Sequence, residues 1–177
     1  MKGDSKEFKH YFWGILRIAI GLIFLWAFFD KLIGLGFSTC RDAATKVVSY
    51  NCANAWMNGG SPTLGFLSKG VHGPLAAFYN SIASSVLVEW LFMLGLLFIG
   101  LTLTFGFMIR LGSFSGVLMM LLMYSALITP ANNPFIDDHL IYAWVMLGFA
   151  FIHSCRHFGI GKWWTGLGFV RNRWILH

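Results

Sequence analysis

Lys31, Glu89, Asp138 and His139 stand in, or at the mouths of, long apolar runs. Ionisable groups are costly in hydrocarbon, and where they persist they mark substrate pathways or proton relays. Glu89 sits in "VEWLFMLGLLFIG". Asp137, Asp138 and His139 open "DDHLIYAWVMLGFA", directly after an Asn133–Pro134 turn. A lysine can hold an anion, while a carboxylate and an imidazole can exchange protons with a bound substrate. Tyr124 and Tyr142 bring phenolic hydroxyls to the same neighbourhood. Each residue also has a plainer role. Asp137 and Asp138 suit a helix N-terminus, where free N–H groups and the dipole favour negative charge. Glu89 could form a structural ion pair with Lys31, and Arg17 could anchor its helix by snorkelling to the inner headgroups.

The elements that carry these residues follow from composition. Of 177 residues, 57% are hydrophobic and 11% charged, against about 25% charged in a soluble domain. The mean hydropathy is +0.67. Four apolar runs, at about 11–35, 82–105, 111–128 and 139–155, each approach the roughly 20 residues needed to cross a bilayer. The reading is an all-α integral membrane protein, a single domain over 1–177. It would form an antiparallel four-helix transmembrane bundle, with an outer loop at about 37–81 that contains short helices. No secretory signal peptide is evident, and the first run is too long for a signal core, so it is expected to stay as an anchor. The net charge of +6 does not point to nucleic acid, because the basic residues lie at segment ends rather than along a polar stripe. Their bias places both termini in the cytoplasm and the protein in the cell membrane as a multi-pass chain. The tail at 157–177 offers Trp163 and Trp164 as headgroup anchors.

Helical spacing then groups the polar residues. Gly14, Arg17, Gly21, Phe24, Phe28 and Lys31 share one stripe of the first run. Val86, Glu89, Met93, Leu96 and Gly100 share one of the second, and His139, Tyr142, Met146, Phe149, His153 and Arg156 one of the fourth. These stripes should face the bundle interior. Depth places Lys31, Glu89, Tyr124, Asp138, His139 and Tyr142 together in the outer part. Arg17 lies roughly 9 Å from the inner end instead; it is kept among the anion-binding candidates on its charge. Cys40 and Cys52 could form a disulfide in the outer loop, worth roughly 3 kcal/mol by loop closure. They could also be a redox-active pair, while Cys155 is expected to be packing. No haem ligand pair, iron–sulfur cluster or metal site is expected. "HSCRH" offers two histidines on one helix face, too few ligands for a metal, and "GIGK" lacks the spacing of a phosphate loop.

Across nearly its whole length the chain resembles the DoxX superfamily, first in "LRIAIGLIFLWAFFDKL". "GGSPTLGFL", "GPLAAFYNSIA", "VEWLFMLGLLFIGLTLTFGFMIRLGSFSGVLMMLLMY" and "NPFIDDHLIYAWVMLGFA" look more narrowly like its DoxD branch. The resemblance implies the membrane subunit of a thiosulfate:quinone oxidoreductase, which oxidises thiosulfate to tetrathionate at the outer face and reduces membrane quinone. It also implies a small DoxA-like partner, supplied separately. On that expectation Glu89, His139 and Asp138 are the catalytic candidates and quinone is the co-substrate. Lys31, Arg17, Tyr142 and Tyr124 are the substrate-binding candidates. Expected contacts are membrane lipid, quinone, the small subunit or a larger membrane redox complex, and a second copy of the chain. The alternative is a non-catalytic accessory or anchoring subunit of such a complex. A small-solute carrier is a weaker third reading, since no inverted repeat is evident.

Overall fold

The computed structural model describes residues 2–42, 44–128, 130, 133, 135–152 and 158–176. Among them regular structure is helical, apart from one isolated antiparallel bridge between Arg41 and Val48. The α-helices are α1 (Lys2–Phe29), α2 (Ala76–Ser81), α3 (Val86–Phe105), α4 (Ile109–Ala126), α5 (Asp138–Phe151), α6 (Gly161–Thr165) and α7 (Gly168–Arg171). π-helical turns at Asp30–Gly34 and Phe66–Gly70 and 3-10 turns at Trp56–Asn58 and Trp174–Leu176 join them.

Three helical stretches are long and apolar enough to cross a membrane: His10–Gly34, Val86–Phe105 and Ile109–Ala126. The chain is therefore read as membrane-embedded. The expected run at 139–155 is helical over the 14 residues Asp138–Phe151, short of a full crossing. Ile152 leaves the helical region, with ψ 111°, while its N–H still closes the last turn on Gly148 O. His153, Cys155, Arg156 and His157 lie outside the described residues.

The interior stripes read from spacing are the buried ones. On α1, Gly14, Arg17, Gly21, Phe24 and Phe28 are buried, and Lys31, in the π-helical turn that follows, is half-buried. On α3, Met93, Leu96 and Gly100 are buried, Glu89 is half-buried and Val86 is exposed. On α5, Met146 and Phe149 are buried, with His139 and Tyr142 half-buried above them. One apolar cluster spans the four long helices through Phe24 and Phe28, Ile99 and Leu103, Met120, and Met146 and Phe149. Without a hydrophobic drive in lipid, such helices adhere by close packing, which small residues permit. A Cβ on Gly21 would fall 2.6 Å from Thr104 N, and one on Gly100 would fall 2.7 Å from Leu25 Cγ, so α1 lies directly against α3. Gly112 and Gly116 do the same for α4, against Thr102 and Met146.

A short link reverses the chain between α3 and α4. Gly106 ends α3 at φ 79° and donates to Thr102 O, a left-handed cap that suits glycine. Met108, also left-handed at φ 49°, starts α4. The outer loop is ordered, with short helices as expected. Its α2 packs on α4 through Tyr79, whose hydroxyl donates to Leu122 O (3.0 Å), within a small core of Leu67, Tyr79, Ala83 and Ala126. The tail folds back on the bundle: Ile160 N donates to Phe105 O at 2.9 Å, and Val170 is fully buried. Of the two tail tryptophans, Trp163 is exposed. Trp164 packs edge-on against Phe107 and Phe169 and donates to Leu176 O, so it braces the tail rather than reaching outward.

Candidate functional site

Asp30 organises the outer end of α1. It is 1% exposed, deep enough that its charge needs partners. Its carboxylate accepts from the N–H groups of Phe37, Ser38 and Thr39 at 3.0, 3.0 and 2.9 Å, and from the Ser38 hydroxyl at 2.7 Å. The chain must therefore double back over the end of α1, and Gly34 at φ 79° makes that turn. Lys31, the next residue, sends its ammonium to Ser38 Oγ at 3.3 Å and over the Phe92 ring at 6.0 Å. Phe92 lies on α3, about one turn below Glu89.

Glu89 lies in the first turn of α3. Its Oε1 accepts from the indole Nε1 of Trp56 at 2.5 Å, and Trp56 stacks edge-on against Trp90 with ring centroids 4.7 Å apart. The Cys40–Cys52 disulfide forms. Asn51 N donates to Gly34 O and Ala55 N to Cys52 O, and these bonds lead the chain from the disulfide straight to Trp56. Lys31, Glu89, Trp56 and the disulfide thus belong to one unit built by α1, the outer loop and α3. The structural pair of Lys31 with Glu89 is not formed: no ion pair joins them among the described residues, because Ser38 and Trp56 take their polar ends instead.

The remaining outer candidates form a second unit on α4 and α5. Asp137 caps α5, accepting from Leu140 N at 3.1 Å through one oxygen and meeting His139 Nδ1 at 2.6 Å through the other. An Nδ1–H donated to Asp137 leaves Nε2 of His139 as an acceptor. The Tyr124 hydroxyl donates to Phe135 O at 3.0 Å, holding the turn before α5. Asp138 is exposed in the first turn, and Tyr142 packs half-buried against the main core. Among the described residues no hydrogen bond or ion pair joins this unit to Lys31 or Glu89. The hydrogen bonds of the outer candidates therefore fall into two sets, one on α1, the loop and α3, the other on α4 and α5.

Arg17 corrects the expectation in both its forms. It neither reaches the outer site nor snorkels to headgroups. Fully buried, it donates to the carbonyls of Leu103, Thr104 and Phe158, the last at 2.6 Å. These are last-turn carbonyls of α3, which lack intrahelical donors, plus one from the tail. Arg110, at the start of α4, is buried too, donating to Ala150 O at 3.0 Å and Trp174 O at 2.8 Å with its guanidinium stacked on the Trp174 ring.

Sequence reasoning missed the structural weight of Asp30, Trp56 and Arg110. The signal for Asp30 was "FST" seven to nine residues on, a run of N–H and hydroxyl donors within reach of a returning loop. Trp56 carried no signal, since its partner is 33 residues away. Among the described residues no group of three or more His, Cys, Asp or Glu is arranged to hold a metal ion. No family model, curated protein or solved structure matches this chain.

Proposed function

We propose that the chain is a four-span bundle of the cell membrane with both termini in the cytoplasm, and that it works as the membrane subunit of a thiosulfate:quinone oxidoreductase-like system. α5, continued by the residues after it, would be the fourth span. The observation that carries this reading is Glu89, a half-buried carboxylate at the outer end of a spanning helix. It is held by an indole N–H rather than by a counter-ion, with the Lys31 ammonium over Phe92 one turn away. Two thiosulfate dianions would lose two electrons and join through a sulfur–sulfur bond as tetrathionate. One quinone would take those two electrons and two protons to become quinol. Lys31 would attract the dianion. Glu89, with the Asp137-oriented His139, would deliver protons to the ring oxygens, and exposed Asp138 would relay them from outside. Tyr142 and Tyr124 would line the quinone's approach. A small DoxA-like subunit would be supplied in trans.

Purified protein mixed with thiosulfate and a short-chain quinone tests the reading. Turnover should fall at least about a hundredfold in Glu89→Gln, the scale of a lost general acid. The fold should persist, since the amide oxygen can still accept from Trp56. Turnover unchanged in Glu89→Gln would remove Glu89 from the chemistry.

The second reading, a non-catalytic accessory subunit, draws on a different observation. Asp30, Asp137, Arg17 and Arg110 all bind backbone groups and so hold the fold together. No turnover by the isolated chain, with stoichiometric co-purification of a membrane oxidase or dehydrogenase, would favour it.

A further inference from the structure

The 39 residues after Asp138 carry no acidic side chain. Within this stretch the tail over 158–176 is folded rather than trailing. Arg17 and Arg110 hold it by its carbonyls at Phe158 and Trp174, Ile160 bonds Phe105, and Val170 of α7 is fully buried. A segment fastened in this way has a fixed outward face. On it Lys162, Arg171 and Arg173 are exposed. Beside them the rings of Trp163, Phe169 and Trp174 remain 65%, 60% and 53% exposed, although Trp164 next door is packed away. None of the three cations is in an ion pair among the described residues. The tail lies at the end of the bundle where α3 and α5 finish and α4 begins, which is a membrane–water boundary for the spanning helices.

Aromatic rings that stay exposed on a rigid segment, at that depth, belong at the headgroup level. Basic residues among them select a negative surface. We infer that the 158–176 segment is a docking platform for anionic phospholipid headgroups, with Lys162, Arg171 and Arg173 meeting the phosphates and Trp163, Phe169 and Trp174 entering the boundary between headgroup and chain. The arginines can grip a phosphate through two parallel N–H groups. This rests on the membrane embedding of the chain and not on the redox reading. A protein inactive toward thiosulfate would leave it standing.

The test uses the full chain, purified in a zwitterionic detergent and titrated with phosphatidylglycerol or phosphatidylcholine while thermal unfolding is followed. Phosphatidylglycerol should raise the midpoint at lower concentration than phosphatidylcholine. That preference should shrink as salt rises from about 0.05 to 0.5 M. In Lys162→Gln/Arg171→Gln/Arg173→Gln the apparent affinity for phosphatidylglycerol should drop about fivefold per charge removed, on the order of a hundredfold in all. Arg41→Gln/Lys46→Gln, at the opposite end, should keep the wild-type response. Equal stabilisation by both lipids would overturn the inference, as would an equal loss in the outer variant. Inorganic phosphate reproducing the whole shift would also overturn it, by showing an ion site rather than a membrane platform. Should the triple variant fail to fold, the lipid contrast and its salt dependence in the wild type still decide.

Discussion

The two ends of the bundle are fastened by opposite chemistry. At the outer end carboxylates hold N–H groups: Asp30 gathers three from the returning loop, and Asp137 takes one from the first turn of α5. At the inner end guanidinium groups hold carbonyls: Arg17 those finishing α3, Arg110 one finishing α5. Helix direction explains three of these contacts: α3 and α5 run the same way, so Asp137 meets free N–H groups where α5 begins, while Arg17 and Arg110 meet free carbonyls where α3 and α5 finish. Asp30, just past the end of α1, instead satisfies N–H groups of the returning loop. In hydrocarbon there is no water to satisfy either set. Subtracting the residues so used separates structure from candidate chemistry. Arg17, Arg110, Asp30 and Asp137 are consumed by backbone groups. Lys31, Glu89 and the Nε2 of His139 are not held by backbone groups; Lys31 and Glu89 bond side chains instead.

The contrast can be broken by emptying each end in turn. Arg17→Met should have the largest effect. It keeps the apolar stem but leaves buried carbonyls of Leu103, Thr104 and Phe158 without their donor, and the loss should be about 3 kcal/mol. Thermal unfolding in detergent measures it. Protease cleavage within the tail should also rise, because Phe158 O is one of the tail's attachments. Asp30→Asn should cost less, about 2 kcal/mol, since the amide oxygen can still accept part of the donor set while the charge is lost. Its effect should be confined to the outer loop, read as faster exchange of the Phe37, Ser38 and Thr39 amides. A larger loss from Asp30→Asn than from Arg17→Met would reverse the ranking and make the loop, not the helix ends, the main fastening.

Much of this was legible in the sequence, and the reason is periodicity. The interior stripes of α1, α3 and α5 follow from spacing alone, because a helix places residues three and four apart on one face. The boundaries of the first three apolar runs follow from their length. The outer loop's short helices and its disulfide followed from composition and from two cysteines on one side. What spacing cannot supply is contact between elements far apart in the chain. The Trp56–Glu89 bond and the hold of Arg17 on Phe158, 141 residues away, depend on how helices are docked. Depth alone grouped Lys31 with His139, whereas their hydrogen-bond partners, Ser38 for Lys31 and Asp137 for His139, depend on the local loop and cap. Arg17 was misjudged for a related reason. A cation near the inner end suggests snorkelling until the carbonyls ending a neighbouring helix are seen to face it.

The smallest effect lies outside the bundle, at the tip of the disulfide loop. Asp42 is exposed, and its carboxylate accepts from the Thr45 N–H at 2.6 Å, the Thr45 hydroxyl at 2.9 Å and the Ala44 N–H at 3.0 Å. These bonds, the Thr45 N–H foremost, hold its pKa below the usual 3.8. A carboxylate whose pKa is lower folded than unfolded stabilises the fold above its unfolded pKa, and that contribution is lost as pH falls through the lowered value. The turn should therefore stay closed through neutral and mildly acidic solution and loosen only below pH 3.8. Backbone resonances of Thr45 and Ala44 should shift with a midpoint below that value, and Asp42→Asn should abolish the shift. A midpoint at or above 3.8 would mean that the outer-end rule, carboxylate on N–H, does not extend beyond the helix termini.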